Sequence, residues 1–208
     1  MKTQIHKPDK TNITAVIVAG GQGSRMGGQD KGLINLHGKT LIEQIIEQIS
    51  PQLDRVIINA NRNRKQYQRF GLPVIKDKLP GFQGPLAGIL TALNTVDTEF
   101  IITLPCDGPR LAADYVTRLS TALIENHAEI AVAHDGFRMQ QMYALIPGSL
   151  AADLTAFLKQ KKHALRHWLA RHTVAMADFS DYPGMFLNIN TNEDLVCLQQ
   201  DSQNDKKH

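Results

Sequence analysis

Residues 19–31 read A-G-G-Q-G-S-R-M-G-G-Q-D-K, with glycine at Gly20, Gly21, Gly23, Gly27 and Gly28. So many glycines let a backbone take left-handed angles and turn its N–H groups onto an anion. Arg25 and Lys31 add two fixed positive charges. A nucleoside triphosphate needs this combination: backbone donors around the phosphates, and cations where charge builds on departing pyrophosphate. Taken alone, the segment reads equally as a surface loop with two solvated cations. Two aspartates extend the chemistry, because Asp77 and Asp107 each end a short apolar run. A carboxylate so placed suits Mg²⁺, a hard cation that takes oxygen ligands and bridges phosphates. It also suits a turn, and Gly108-Pro109 follows Asp107 directly. Asn59 ends another apolar run, where an amide either meets a ligand or satisfies turn backbone.

Other chemistries fit less well. No Gly-Lys-Ser/Thr closes the glycine loop, so it is not a Walker A loop. A dinucleotide fingerprint started at Gly21 and Gly23 meets Met26 where the third glycine belongs, and Asn59 stands where a ribose-binding acid belongs. No Gly-x-Ser-x-Gly elbow occurs. His163, His167 and His172 cluster near one helical stretch without a third metal ligand and read as solvated, with Trp168 beside them as a packing anchor. Cys106 and Cys197 form no CxxC pair, which excludes a disulfide framework or zinc ribbon. A net charge of +3 and 6% aromatics argue against a nucleic-acid binder. No apolar run approaches the roughly 18 residues of a membrane span, and the polar N-terminus lacks a signal-type apolar stretch. A cytoplasmic protein is expected.

The elements that must carry these residues alternate. Residues 13–19, 55–59, 73–76 and 100–104 read as buried strands, and 40–49, 63–70 and 86–96 as helices, the first stopped by Pro51. That alternation predicts an α/β fold, a doubly wound and mostly parallel sheet with helices on both faces. Such sheets bind ligands beyond the carboxyl ends of their strands. The rule puts Gly20, Asn59, Asp77 and Asp107 along one edge. The second half predicts helices at 112–125, 149–159 and 164–171. It predicts strands at 130–134 and 142–147 around Asp135-Gly136, and another at 186–190. Thr191 and Asp194 have capping-box spacing ahead of a last helix. One domain is expected over residues 13–199, in a nucleotide-binding half (13–108) and an acceptor-binding half (109–199), between flexible tails at 1–12 and 200–208.

The loop resembles the signature of nucleotidyltransferases that build activated sugars, AGGxGxRMG followed by lysine. Its ending R-M-G-G-x-D-K is most similar to the guanylyltransferases of molybdenum cofactor synthesis, the MobA family. Sugar-nucleotide relatives end in Pro-Lys where this chain has Asp30-Lys31, and the cytidylyl sister family begins Ala-Ala-Gly where this chain has Ala19-Gly20-Gly21. Further matches are the stretches 56–61, 74–77, Gly84-Pro85-Leu86-Ala87-Gly88 as a turn, Leu104-Pro105-Cys106-Asp107 and Asn188-Ile189-Asn190-Thr191. They span nearly the whole chain.

The resemblance implies a three-layer Rossmann-like fold of the nucleotide-diphospho-sugar transferase kind. It implies GTP and molybdopterin as substrates, Mg²⁺ as cofactor, and molybdopterin-synthesis proteins and apo-molybdoenzymes as candidate partners. Arg25, Lys31 and Asp107 would be catalytic, with Asp107 on the metal. Val18, Ala19, Gly20, Gly21, Gly23, Lys31, Asn59, Asp77 and Asp107 would bind nucleotide. Arg138, Asn188 and Asn190 would bind the acceptor. Two alternatives stay open: transfer of cytidylyl or another nucleotide to a different phosphate such as a sugar phosphate, and a nucleotide-binding regulator without turnover.

Overall fold

The computed structural model describes residues 7–19, 30–78, 84–161, 163–189, 191 and 193–195. Its centre is a seven-stranded sheet. Strand β1 (Ile13–Val18) is an interior strand, its β-branched run buried on both faces. It pairs in parallel with β4 (Val56–Asn59) and β6 (Phe100–Pro105). β4 continues outward to β5 (Val74–Ile75). On the other side β6 pairs with β8 (Met139–Pro147), then come β7 (Ile130–His134) and β9 (Val174–Asp178). Within this sheet β8 alone runs antiparallel to its neighbours. The cause is local: Asp135-Gly136 turns the chain back on itself, with Gly136 at φ 92°, and a tight hairpin forces antiparallel pairing.

Two cores sandwich the sheet. From β1, Ile13, Ala15 and Ile17 face α1 (Leu41–Ile49) and α4 (Tyr115–Glu125). Val16 faces the other way, toward α3 (Pro85–Leu93), α5 (Ala151–Lys159) and α6 (Leu165–Leu169). The strand period of two therefore distributes one apolar run to two helical layers. Trp168 is fully buried in the second layer, as expected of a packing anchor.

Helix α1 shows how closely sequence sets the element ends. Thr40 caps it, accepting from the Glu43 N–H, while the Glu43 carboxylate accepts from the Thr40 N–H at 2.6 Å. The helix ends at Ser50, directly before Pro51. Thr40→Ala should destabilise the fold by about 1 kcal/mol, as loss of an N-cap usually does. Urea unfolding with unchanged m-value checks it, and an unchanged midpoint contradicts it.

Several expectations shift. The stretch 63–70 is a short helix, α2 (Arg64–Tyr67), followed by a 3₁₀ turn to Phe70, and Gly71 ends it at φ 74°. Helix α4 starts at Tyr115 rather than 112, and β8 starts at Met139 rather than 142. The Gly84–Gly88 segment is not a free turn. Gly84, at φ 68°, caps α3, and Pro85 occupies the first helical position, where its missing N–H costs nothing. Over 186–189, the described part of the expected strand 186–190, there is none: a 3₁₀ turn (Pro183–Phe186) leads into extended backbone at Leu187. Strand β9 was not expected. Neither was the small ribbon of β2 (Asn35–Leu36) and β3 (Lys39–Thr40), turned by His37 and Gly38 at φ 57° and 85°. His172 is not solvated: its side chain is 7% exposed, between Asp153 at 3.2 Å and Glu129 at 3.6 Å. Thr191 and Asp194 do form a reciprocal cap. Among the described residues no helix is long and apolar enough to cross a membrane.

Candidate active site

The carboxyl edge of the sheet is laced together by backbone. The Ala19 N–H donates to the Asn59 carbonyl at 2.8 Å, and the Cys106 N–H donates to the Val18 carbonyl at 3.2 Å. The ends of β4, β1 and β6 are thereby fixed side by side, and the residues just beyond them converge. Val18 and Ala19 form the floor where the chain leaves β1. Gly20, Gly21, Gly23 and Arg25, and Gly27 and Gly28 with them, lie outside the described residues, as does Asn190.

Beyond β6, the Lys31 ammonium donates to Asp107 Oδ2 at 2.9 Å, with side chains 22% and 18% exposed. A lysine at the end of a glycine-rich segment and an aspartate at a strand end, 76 positions apart, thus meet at the mouth of the edge. Asp107 is anchored through its backbone, whose carbonyl accepts from the Ile189 N–H at 2.9 Å. This bond sets Ile189 against Asp107. Gly108 follows, packed so tightly that a Cβ there would collide with the Tyr143 hydroxyl and approach Asn188 Oδ1 to 3.2 Å.

A second pair stands beyond β4. The Asn59 amide donates to Asp77 Oδ1 at 2.9 Å, and Asn59 is 1% exposed. Asn61 completes the pair: its amide donates to Asp77 Oδ2 at 2.8 Å, and its Oδ1 accepts from the Asp77 N–H at 3.0 Å. A carboxylate held by two amides presents a fixed array of donors and acceptors, as recognition of a nucleobase or ribose requires. The sequence reading missed Asn61, whose signal was the Asn-x-Asn spacing after β4. It also missed Asp30, Asn63 and Tyr67, which bond one another behind the edge.

Among the described residues, Cys106 and Tyr143 near Asp107 are poor nucleophiles. Burial pushes the Cys106 thiol far above its ordinary range, and the Asp107 and Asp30 carboxylates add to it. Burial likewise raises the Tyr143 hydroxyl, with Asp107 adding to it. Both stay protonated, which disfavours covalent catalysis.

Arg138 sits on the β7–β8 hairpin tip, overhanging the same edge, with its side chain 79% exposed. Asp135 orders that tip. Partial burial opposes its ionisation, but the N–H groups of Arg138 and Phe137 and the Gln140 amide hold its pKa at about 2. A depressed folded pKa contributes stability that is fully present above the unfolded value near 4 and is lost as pH falls toward 2. The difference in thermal midpoint between wild type and Asp135→Asn should therefore be largest near neutrality and shrink below pH ~4. A difference independent of pH would contradict this.

The MobA-like NTP transferase domain matches residues 15–176, which include both pairs and the Arg138 hairpin. The chain belongs to that family. As a member of the MobA-like NTP transferase family it is a nucleotidyltransferase enzyme. It is similar to the molybdenum cofactor guanylyltransferase of Shewanella sp. (strain MR-4), 47% identical over 181 residues, covering 87% of this chain and 92% of that one. It is also similar to the molybdenum cofactor guanylyltransferase of Shewanella halifaxensis, 43% identical over 196 residues, covering 94% and 98%. In fold it resembles molybdopterin-guanine dinucleotide biosynthesis protein A from Archaeoglobus fulgidus, with TM-score 0.77 at 22% identity, covering 92% of this chain and 99% of that one. The two share the mostly parallel sheet with helices on both faces.

Proposed function

We propose that the chain transfers GMP from GTP to the terminal phosphate of molybdopterin, forming a guanine dinucleotide of the pterin and releasing pyrophosphate. The observation that carries this reading is the Lys31–Asp107 pair at the carboxyl edge, flanked by the Asn59–Asp77 pair. The names of the relatives at 47% and 43% identity supply the substrates.

In this reading the nucleoside lies over Asn59 and Asp77. The glycine loop of Gly20, Gly21 and Gly23 surrounds the phosphates, with Arg25 and Lys31 neutralising them. The acceptor lies over the second half, residues 109–199, against Arg138, Asn188 and Asn190. An oxygen of the acceptor phosphate attacks the α-phosphorus in line, forming the new P–O bond. The bond from the α-phosphorus to the bridging oxygen breaks, and both its electrons leave with pyrophosphate. A phosphate monoester, with a second pKa of about 6, is mostly dianionic at neutral pH and needs no general base. The protonated states of Cys106 and Tyr143 agree with that. Catalysis then rests on positioning and on charge held where charge develops.

Asp107 is the residue that would hold Mg²⁺. The fit is chemical: Lys31 bonds Asp107 at Oδ2, and a carboxylate at a strand end offers the oxygen donors that a hard cation takes. Among the described residues no cluster of three or more His, Cys, Asp or Glu could form a cage. Mg²⁺ in such sites keeps several waters and takes only one or two carboxylates besides substrate phosphates. When bound it would neutralise charge on the phosphate groups. A carboxylate that must release Lys31 to phosphates is suited to exchange its partner on nucleotide binding.

The test is product identity. Molybdopterin incubated with an equimolar mixture of GTP, CTP and ATP should give the GMP adduct by mass spectrometry. A CMP adduct would keep the chemistry but overturn the choice of base. Recovery of unmodified acceptor would overturn the proposal.

A further inference from the structure

Behind Lys31 lies a buried carboxylate that the chemistry above does not use. Asp30 is 7% exposed and immediately precedes Lys31. Its Oδ1 accepts from the Tyr67 hydroxyl, and its Oδ2 accepts from the Asn63 amide at 3.2 Å. Tyr67 is fully buried, and burial first, then nearby Cys106 and Asp30, hold its hydroxyl protonated. The same hydroxyl lies against the next turn of chain: a Cβ on Gly32 would stand 2.6 Å from it and 3.3 Å from Cys106 Cβ. Asp30 also opens the 3₁₀ turn Lys31–Leu33, its carbonyl accepting from the Leu33 N–H at 3.0 Å, while the Lys31 carbonyl accepts from Ile34 at 3.1 Å.

A buried tyrosine–carboxylate pair can serve stability alone. Placement argues for more. The donors come from α2 and the residue that caps it, directly after the Asn59-to-Asn61 stretch that holds Asp77. The acceptor is the residue before the lysine on Asp107. Asn63 takes the left-handed conformation, φ 49° and ψ 27°, to cap α2 as it donates. Gly32 fits because its neighbours, Tyr67 and Cys106, belong to the two segments that must be held together.

We infer that Tyr67 and Asn63 are positioning residues for nucleotidyl transfer, gripping Asp30 so that Lys31 is held at Asp107 where the phosphates arrive. This rests on the reading of Lys31 as the phosphate-neutralising cation. The mechanism is restriction of Lys31, whose long side chain otherwise loses much rotamer freedom on binding phosphate.

A double-mutant cycle on the full chain tests it, measuring kcat and KM for GTP, with thermal unfolding alongside. Tyr67→Phe should lower kcat by roughly ten- to a hundredfold, the cost of a misplaced catalytic group. In a Lys31→Ala background the same substitution should change kcat by less than about twofold, because the group it positions is gone. Asn63→Gly keeps the left-handed backbone and removes only the amide donor. It should show the same dependence on Lys31 with a smaller loss, and it serves where Tyr67→Phe unfolds. Equal losses in both backgrounds would mean a structural role and overturn the inference, as would wild-type kcat in both variants. Lys31→Ala with undiminished turnover would instead overturn the reading of Lys31 itself, a failure visible without either positioning variant.

Discussion

Asp107→Ala should lower kcat for pyrophosphate release by roughly 10²–10³-fold, the usual effect of removing one preorganised charge from a transfer site. The fold should persist. The structural contact of Asp107 is its backbone carbonyl, which accepts from Ile189 and which alanine retains. The side chain gives up one ion pair with Lys31, whose ammonium keeps some access to water at 22% exposure. Activity and stability should therefore separate. Asp107→Asn keeps the size, loses the charge, and should fall nearly as far. Excess Mg²⁺ should restore neither variant, whereas chelation of divalent cations should bring wild type down to a similar rate. Turnover within about threefold of wild type would remove Asp107 from the chemistry. A collapse of the thermal midpoint would make its role structural.

Gly88→Ala should raise KM for GTP by tenfold or more, an effect produced by one methyl group. Gly88 lies on α3 with Asn59 packed on its backbone. A Cβ there would collide with Asn59 Oδ1, stand 3.1 Å from its Cγ and reach 3.6 Å from Asp77 Oδ1. Asn59 has little room to yield, being 1% exposed and bonded to Asp77 at 2.9 Å. Overpacking of this kind costs about 1–3 kcal/mol, and here the strain falls on the groups assigned to the nucleoside. The loss should therefore appear in KM more than in kcat, and in affinity for GTP by calorimetry. Equal GTP affinity in wild type and variant would separate Asn59 and Asp77 from nucleotide binding. Ala92, one turn further along the same helix, marks the comparison: Ala92→Ser should leave KM near wild type.

The parts of this arrangement that were legible in the sequence are those written in local chemistry. Strand β1 announces itself by a continuous β-branched run, and α1 by its period and by Thr40 with Glu43. The rule on carboxyl ends then places Asn59, Asp77 and Asp107 on one edge without any contact being known. What stayed hidden depends on contacts between distant segments. Strand β9 alternates valine, methionine and alanine, and alanine carries little strand preference. Its partner β7 defines it. The segment 186–190 alternates as a strand would, yet Pro183 and Gly184 start a 3₁₀ turn there, and its link to the site is the Ile189 bond to Asp107 rather than a ladder. Asp30 enters the sequence only as the residue before Lys31. Only the approach of α2 buries it under Tyr67. His172 reads as exposed because Glu129 and Asp153 arrive from other elements.

The central claim is guanylyl transfer, and pyrophosphate release measures it most directly. With Mg²⁺ present, the chain should release pyrophosphate from GTP only when molybdopterin is added, and not from CTP or ATP. Asp107→Ala under the same conditions should release little. Release from CTP in preference to GTP, or no release from any nucleotide while GTP still binds, would contradict the account.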